Sequence, residues 1–411
     1  MSSSGGGLAQ LVAYGAQNVV LTGDSSNSIW TSKYSKHTNY AIESIEQTLN
    51  GEVQYGGSAT MKLGRSGDLV CGLTAEVTFT YNGAPDPMYP AEALFETIEL
   101  QIGGQRIDYL HHNWYRIYTQ LYLDIDQKDA YDDAMNFTQE VSGQKRTFYF
   151  PIPFFFSGMD NRLALPLIAL QYHEVELKFN FCLPDAVQSV VTTTPPVVKV
   201  YADYVFLDTA ERVKFAQNPH EYLITQLQYQ AAPIRFSPTS VLAYRIPINF
   251  NHPTKMLTWA TSQPNRHGQF TALSGETNDN TAAPIASAVL QLNGKDRFTE
   301  RPGKYFKNAN PWLCQKGKYT TSGIYTYNFG IDNTLKNPNS GTLNFSRIDN
   351  TTLVLKTKIS NLPIPVASGT FTTEEQTYTE TANVISTVEI FALNYNVLRI
   401  MSGMGGLAYA N

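Results

Sequence analysis

Apolar and polar residues alternate with a period of two along most of this chain, the mark of half-buried β-strands. The alternation is visible over residues 52–61, 69–81 and 94–107. It returns near 222–231, 241–248, 256–262, 286–292, 323–329, 351–358 and 387–400. Turn residues punctuate these segments at short intervals. Beyond residue 24, helical periodicity is confined to insertions at 112–121 and 126–135 and to residues 208–217, where Asp208 followed by Glu211 reads as a helix start.

The pattern is written twice. Residues 98–108 and 288–298 each read as a short alternating strand, a two-residue turn (Gly103-Gly104 and Asn293-Gly294) and a polar return strand, which is the signature of a tight hairpin. Three more pairs follow in order: 148–153 with 324–329, 175–179 with 353–357, and 200–207 with 391–398. Four echoes in one order predict a tandem pair of all-β domains. The expected layout is an extension over 1–24, a first domain over 25–207, a linker over 208–219 and a second domain over 220–411. Many short strands with few helices favour β-sandwiches, and the eight-stranded jelly roll is the leading form.

Composition adds to this picture. The chain has 411 residues, enough for two domains that need neither disulfide nor metal to stand. Only 16% of residues are charged, against a usual quarter, while tyrosine and phenylalanine number 25 and 21. A surface of Thr, Asn, Ser, Gln and Tyr suits flanks pressed against neighbouring molecules, and suits strands equally well. Cys71, Cys182 and Cys314 form neither a disulfide framework nor a zinc pattern and read as buried thiols. The first cationic residue is Lys33, so a secretory signal is not expected, and no apolar run reaches membrane-spanning length. Residues 1–32 and 400–411 carry no Lys or Arg, which disfavours direct packaging of nucleic acid. Residues 1–23 space Leu8, Leu11, Val12, Ala16, Val19 and Val20 in a roughly helical way, as an extension that docks on something else.

The chemical motifs fail one by one. Residues 403–408 fit a G-x-G-x-x-A dinucleotide fingerprint on paper, but too few residues follow for the helix that would face a pyrophosphate. His111 and His112, with His173 or His37, lack metal-ligand spacing, and neighbouring histidines are expected to point apart. The run Asp124, Asp126, Asp129, Asp132, Asp133 lacks the glycine and terminal glutamate of a calcium loop and reads as a solvated helix face. No catalytic, cofactor-binding or metal site is expected. Asn136, Asn344 and Asn350 stand in N-x-[ST] sequons and are candidate glycosylation acceptors.

Five stretches carry a family resemblance. Residues 391–411, ending Met401-Ser-Gly-Met-Gly-Gly-Leu-Ala-Tyr-Ala-Asn411, resemble the ending of the major capsid proteins of nucleocytoplasmic large DNA viruses. Residues 5–18 resemble that family's opening segment, 163–175 its first-domain strand pair, 204–217 its interdomain link and 340–350 its second-domain signature. The resemblance implies a tandem double jelly roll in a homotrimeric, pseudo-hexagonal capsomer that tiles an icosahedral shell. It implies contacts with neighbouring capsomers and with minor capsid and penton proteins. It further implies an internal membrane reached through minor proteins, no direct contact with nucleic acid, no enzymatic activity, and assembly in the host cytoplasm. The competing reading is a carbohydrate-binding or cupin-like jelly-roll protein, since a fold alone does not set function. Towers facing the host are expected from residues 124–143, 262–283 and 301–320.

Overall fold

The computed structural model describes residues 5–13, 15–16, 30, 36–80, 89–135, 143–157, 163–184, 187, 194–236, 240–262, 284–315, 323–332, 340–358 and 384–409. The chain divides into two compact units, Met1–Asn39 and Tyr40–Asn411. The first holds helix α1 (Gly5–Val12), with Leu11 and Val12 exposed.

The second unit contains two sandwiches built to one plan. The first uses β1 (Tyr40–Gln47), β2 (Ser58–Lys62), β3 (Leu69–Thr80), β4 (Phe95–Ile102), β5 (Gln105–His111), β6 (Lys145–Pro151), β7 (Val175–Phe181) and β8 (Val197–Leu207). The second uses β9 (His220–Phe236), β10 (Ala243–Ile248), β11 (Pro253–Ser262), β12 (Ile285–Leu292), β13 (Lys295–Asp296), β14 (Ile324–Asn328), β15 (Thr351–Thr357) and β16 (Val384–Met401). One sheet of the first sandwich runs β1-β8-β3-β6, and its counterpart runs β9-β16-β11-β14. The facing sheets run β2-β7-β4-β5, with a short extra edge strand at Leu49–Gly51 beside β2, and β10-β15-β12-β13. Each strand therefore has its equivalent eight positions later, in the antiparallel eight-strand order of a jelly roll. The four sequence echoes fall on equivalent strands.

Alternation sets which side faces inward. In β3, Leu73, Ala75, Val77 and Phe79 are buried while the residues between them are half-exposed. Ring packing fills each sandwich, crossing between the two sheets of the first at Phe95 and Phe150. Phe95 lies 5.6 Å from Phe150 and 5.8 Å from Phe179, and Trp259 lies 5.1 Å from Phe306 and 6.1 Å from Tyr325. Both repeated hairpins turn through two left-handed residues, Gly103 (φ 59°) with Gly104 (φ 79°), and Asn293 (φ 47°) with Gly294 (φ 76°). Two positive φ values define the mirror-image turn that matches strand twist and selects Asn and Gly.

Helices occur as insertions: α2 (Pro90–Leu94), α3 (His112–Tyr122), α4 (Ile125–Met135), α5 (Thr209–Gln217) and α6 (Asn310–Cys314). Helix α5 joins the two sandwiches and is capped as expected, the Asp208 side chain accepting from Thr209 N at 2.8 Å. Three expectations need correction. Residues 52–57 form a turn, not a strand, with Gly57 N donating to Gln54 O. Strand β1 was not expected, because its edge position leaves nearly all of it exposed and erases the alternation. The stretch from residue 301 is no open loop: a π-helical turn over Tyr305–Ala309 and then α6 bury Phe306 against Trp259. Residues 262–283 lie almost wholly outside the described residues.

Candidate functional site: the seam between the two sandwiches

The core of the first half continues across the seam into apolar side chains of the second, whose own sandwich interior is a separate cluster around Trp259 and Leu355. Ile224, Leu227, Met256, Phe391, Leu393 and Leu398 of the second half belong to the same buried cluster as Ile107, Leu110 and Trp114 of the first. Strand β5 supplies the first half's polar side of the seam. Asp108 Oδ1 accepts from Leu227 N at 3.0 Å and from Tyr109 N at 2.9 Å, and the Gln226 amide donates to Ile107 O. His111 stacks on Tyr229 with ring centroids 3.8 Å apart, and Trp114 meets Phe391 at 5.7 Å. A cavity of about 110 Å³ remains here, lined by Asp108, Trp114, Tyr122, Phe154, Lys255 and Leu393 among others. The Lys255 ammonium sits 5.3 Å from the Tyr122 ring centre and 5.9 Å from that of Tyr395.

Burial shifts the acid and the amine of this cavity in opposite directions. It pushes the Asp108 carboxyl up to about 7, against the opposing pull of the two amide donors and Arg106. It pushes the Lys255 ammonium down to about 8. A raised carboxyl contributes stability that is fully present below the ordinary carboxylate value and is lost as pH rises through 7. Asp108→Asn keeps an acceptor for Leu227 N and removes the titration. Between pH 4 and 8 the stability difference should move in the variant's favour by on the order of 2–4 kcal/mol. Chemical denaturation at several pH values checks this, and a difference that stays constant across the range would refute it.

The helices of the first half are tied by a second buried group. Arg116 Nη1 lies 3.2 Å from Asp132 and 3.9 Å from Glu92, and its guanidinium covers the Tyr89 ring at 3.5 Å. Tyr131 donates to Glu92 at 2.6 Å and Tyr89 donates to Asp132 at 3.0 Å. Asp132 therefore departs from the solvated-face reading, whereas Asp124, Asp126, Asp129 and Asp133 are exposed.

The glycine-rich ending is a clasp. After Met401 the chain reverses into β17 (Met404–Leu407), which pairs with β16. Tyr172 N donates to Gly403 O at 2.9 Å, His173 Nδ1 lies 2.9 Å from Gly405 O, and Leu407 N donates to Gln105 Oε1 at 3.3 Å. Gly403 holds φ 80°, and a Cβ there would lie 2.6 Å from the Tyr172 ring; one on Gly405 would lie 2.6 Å from Leu170. The glycines permit close approach to the first sandwich, and a strand stands where a dinucleotide site needs a helix.

The histidines sort differently from expectation. His173 belongs to the clasp, and His37 lies in the first unit with Nδ1 2.8 Å from Thr38 O. His111 and His112 do not point apart. The backbone passes from strand into helix between them, His111 holding φ −112° and ψ 151°, and their ring centroids come within 4.1 Å. One ligand atom each from Glu96, His111 and His112 lie within 4.8 Å of one another. Glu389, from β16 of the other half, reaches His112 Nε2 at 3.6 Å and accepts from the Asn113 amide. No local spacing announces this group, because one member comes from far along the chain.

The remaining singled-out residues are dispersed. Asn344 is exposed and its side chain accepts from Ser346 N at 3.0 Å; Asn350 is exposed and its N–H donates to Asn293 Oδ1 at 3.0 Å. Asn136 lies outside the described residues. All three cysteines are free: Cys71 and Cys182 are buried, Cys314 half-buried, and burial pushes the Cys182 thiol up to about 12.

Two like jelly rolls joined through a shared apolar seam define a double jelly-roll protein. Family comparison then places it. A model described as "Major capsid protein N-terminus" matches residues 28–208, and one described as "Large eukaryotic DNA virus major capsid protein" matches residues 211–406. The chain belongs to the major capsid protein family of the large eukaryotic DNA viruses, structural proteins of the virion. It is 42% identical to the major capsid protein of Paramecium bursaria Chlorella virus 1, over 99% of this chain and 100% of the relative. It is 36% identical to that of Pyramimonas orientalis virus, with the same coverage. The solved capsid of the Chlorella virus superposes with a TM-score of 0.84 at 40% identity, over 93% of this chain and 100% of that one. The Faustovirus major capsid protein, 10% identical, shares the fold with a TM-score of 0.73 over 94% of each chain.

Proposed function

We propose that three copies of this chain form a homotrimeric, pseudo-hexagonal capsomer that tiles an icosahedral shell. One observation carries the reading: the two sandwiches repeat each other strand for strand. Three copies then present six similar flanks, so a threefold object fits a hexagonal lattice, and closed symmetry stops the contact from running on into fibres. The domains are the extension 1–24, the jelly rolls 25–207 and 220–411, and the linker 208–219. Exposed Trp312, Leu313 and Ile331 on the second half offer apolar contact area on a charge-poor chain. Lateral contacts of on the order of 2,000 Å² or more would make the trimer obligate.

The exposed Leu11 and Val12 suit an extension that meets a partner on the inner face of the shell, minor capsid proteins first. Penton proteins and neighbouring capsomers complete the contacts, and the internal membrane is reached through minor proteins. The chain acts without catalysis and without touching the genome, in a shell assembled in the host cytoplasm. The outward towers fall at 124–143 and 262–283, and Asn136, Asn344 and Asn350 are the positions open to sugar. Sedimentation tests the core of this reading. The folded protein should run at three times the 45.8 kDa chain mass. A stable folded monomer at micromolar concentration would sink it.

A further inference from the structure

We propose that Glu96, His111 and His112 form a zinc-binding site at the seam, with Glu389 of the second half as its positioning residue. Two imidazoles and one carboxylate are a donor set suited to zinc, with a fourth position left for water. In tetrahedral geometry two ligands bonded to one ion at about 2.1 Å stand ~3.4 Å apart. The atoms here lie within 4.8 Å of one another, so side-chain adjustments of at most about 1.5 Å close the set. Glu96 has the room to make that move and gives solvent access, its side chain being 40% exposed, whereas both histidines are buried.

The orientation of His112 supports the assignment. Its Nδ1 faces Glu96 Oε1 at 3.7 Å, while its Nε2 faces Glu389 Oε1 at 3.6 Å on the opposite side of the ring. With Nδ1 on the ion, Nε2 carries the proton and faces a buried carboxylate 3.6 Å away, from where a small shift brings the two into a hydrogen bond, the arrangement that fixes the tautomer of a metal-bound histidine. Glu389 is itself held by the Asn113 amide and lies 3.5 Å from the Tyr229 hydroxyl. His111 is held flat against the Tyr229 ring. The ligands come from one sandwich and their support from the other, so zinc binding and docking of the halves favour each other.

The inference stands apart from the trimer reading. Calorimetric titration of chelator-stripped full-length protein with zinc chloride tests it, together with a melting curve with and without the metal. One ion should bind per chain and raise the Tm. Glu96→Gln should retain the metal-free Tm, bind at least about tenfold more weakly and lose the zinc-induced rise. His111→Asn, the second ligand variant, should also weaken binding. Glu389→Gln should weaken binding by about 10–100-fold through the ring it orients. A wild-type chain that takes up no zinc at micromolar concentration would overturn the site. So would affinity that is unchanged in both Glu96→Gln and His111→Asn.

Discussion

Replacing Arg116 with methionine should cost the folded chain about 3–5 kcal/mol, the range for breaking a buried ion pair from one side. Arg116 and Glu92 have side chains only 9% and 1% exposed, so water cannot take over the lost contact. Burial already pushes the Glu92 carboxyl up, and Arg116 and the Tyr131 hydroxyl are what restrain it. Without the guanidinium that carboxyl rises further. A group raised in the folded state loses its contribution as pH increases, so the deficit should be larger at pH 8 than at pH 4. Adding Glu92→Gln should recover much of the loss, because it removes the stranded charge. Urea denaturation of the two variants measures both effects. A single variant within 1 kcal/mol of the parent, or a double variant no better than the single, would contradict this account of how α2, α3 and α4 are held.

Phe391→Ala strikes the seam and should cost about 3–5 kcal/mol, as for other buried aromatic truncations. The ring is fully buried and packs on Trp114 at 5.7 Å and Tyr229 at 5.3 Å, one from each half. Its loss should also loosen the coupling between the halves. In the parent the first half's core runs through the seam and takes in second-half residues such as Phe391, so the two halves should unfold in a single calorimetric transition. The variant should show a broadened or divided transition at matched protein concentration. Two independent transitions in the parent would mean that the shared core does not couple the halves.

Much of this architecture is local, and that part is legible in the chain. The hairpins at Gly103-Gly104 and Asn293-Gly294 follow from residues that tolerate positive φ, and helix α5 follows from the Asp208 cap. The buried strands show themselves because one face must be apolar. What stays hidden depends on distant partners. Strand β1 lacks a clean alternation, with Ala41 beside Ile42 and Glu43 beside Ser44, and exists through its pairing with β8, from Tyr40 opposite Leu207 to Gln47 opposite Val200. The stretch from residue 301 has loop-like Pro302, Gly303 and Pro311. It is compact because Gly303 lets the chain pass against Ile285 O while Phe306 enters the core. The Glu96, His111 and His112 group carries no spacing signal, and Glu389 joins it only when the second sandwich docks. The clasp glycines look like a nucleotide motif until the first sandwich lies against them.

The proposed threefold assembly of a twofold-repeated chain is tested most directly by electron microscopy of the purified assembly. Averaged views along the symmetry axis should show a hexagonal outline with true threefold symmetry, its six lobes alternating between two slightly different jelly rolls. Monomer-sized particles, or assemblies with twofold symmetry, would contradict the proposal that the internal repeat exists to fill a hexagonal lattice.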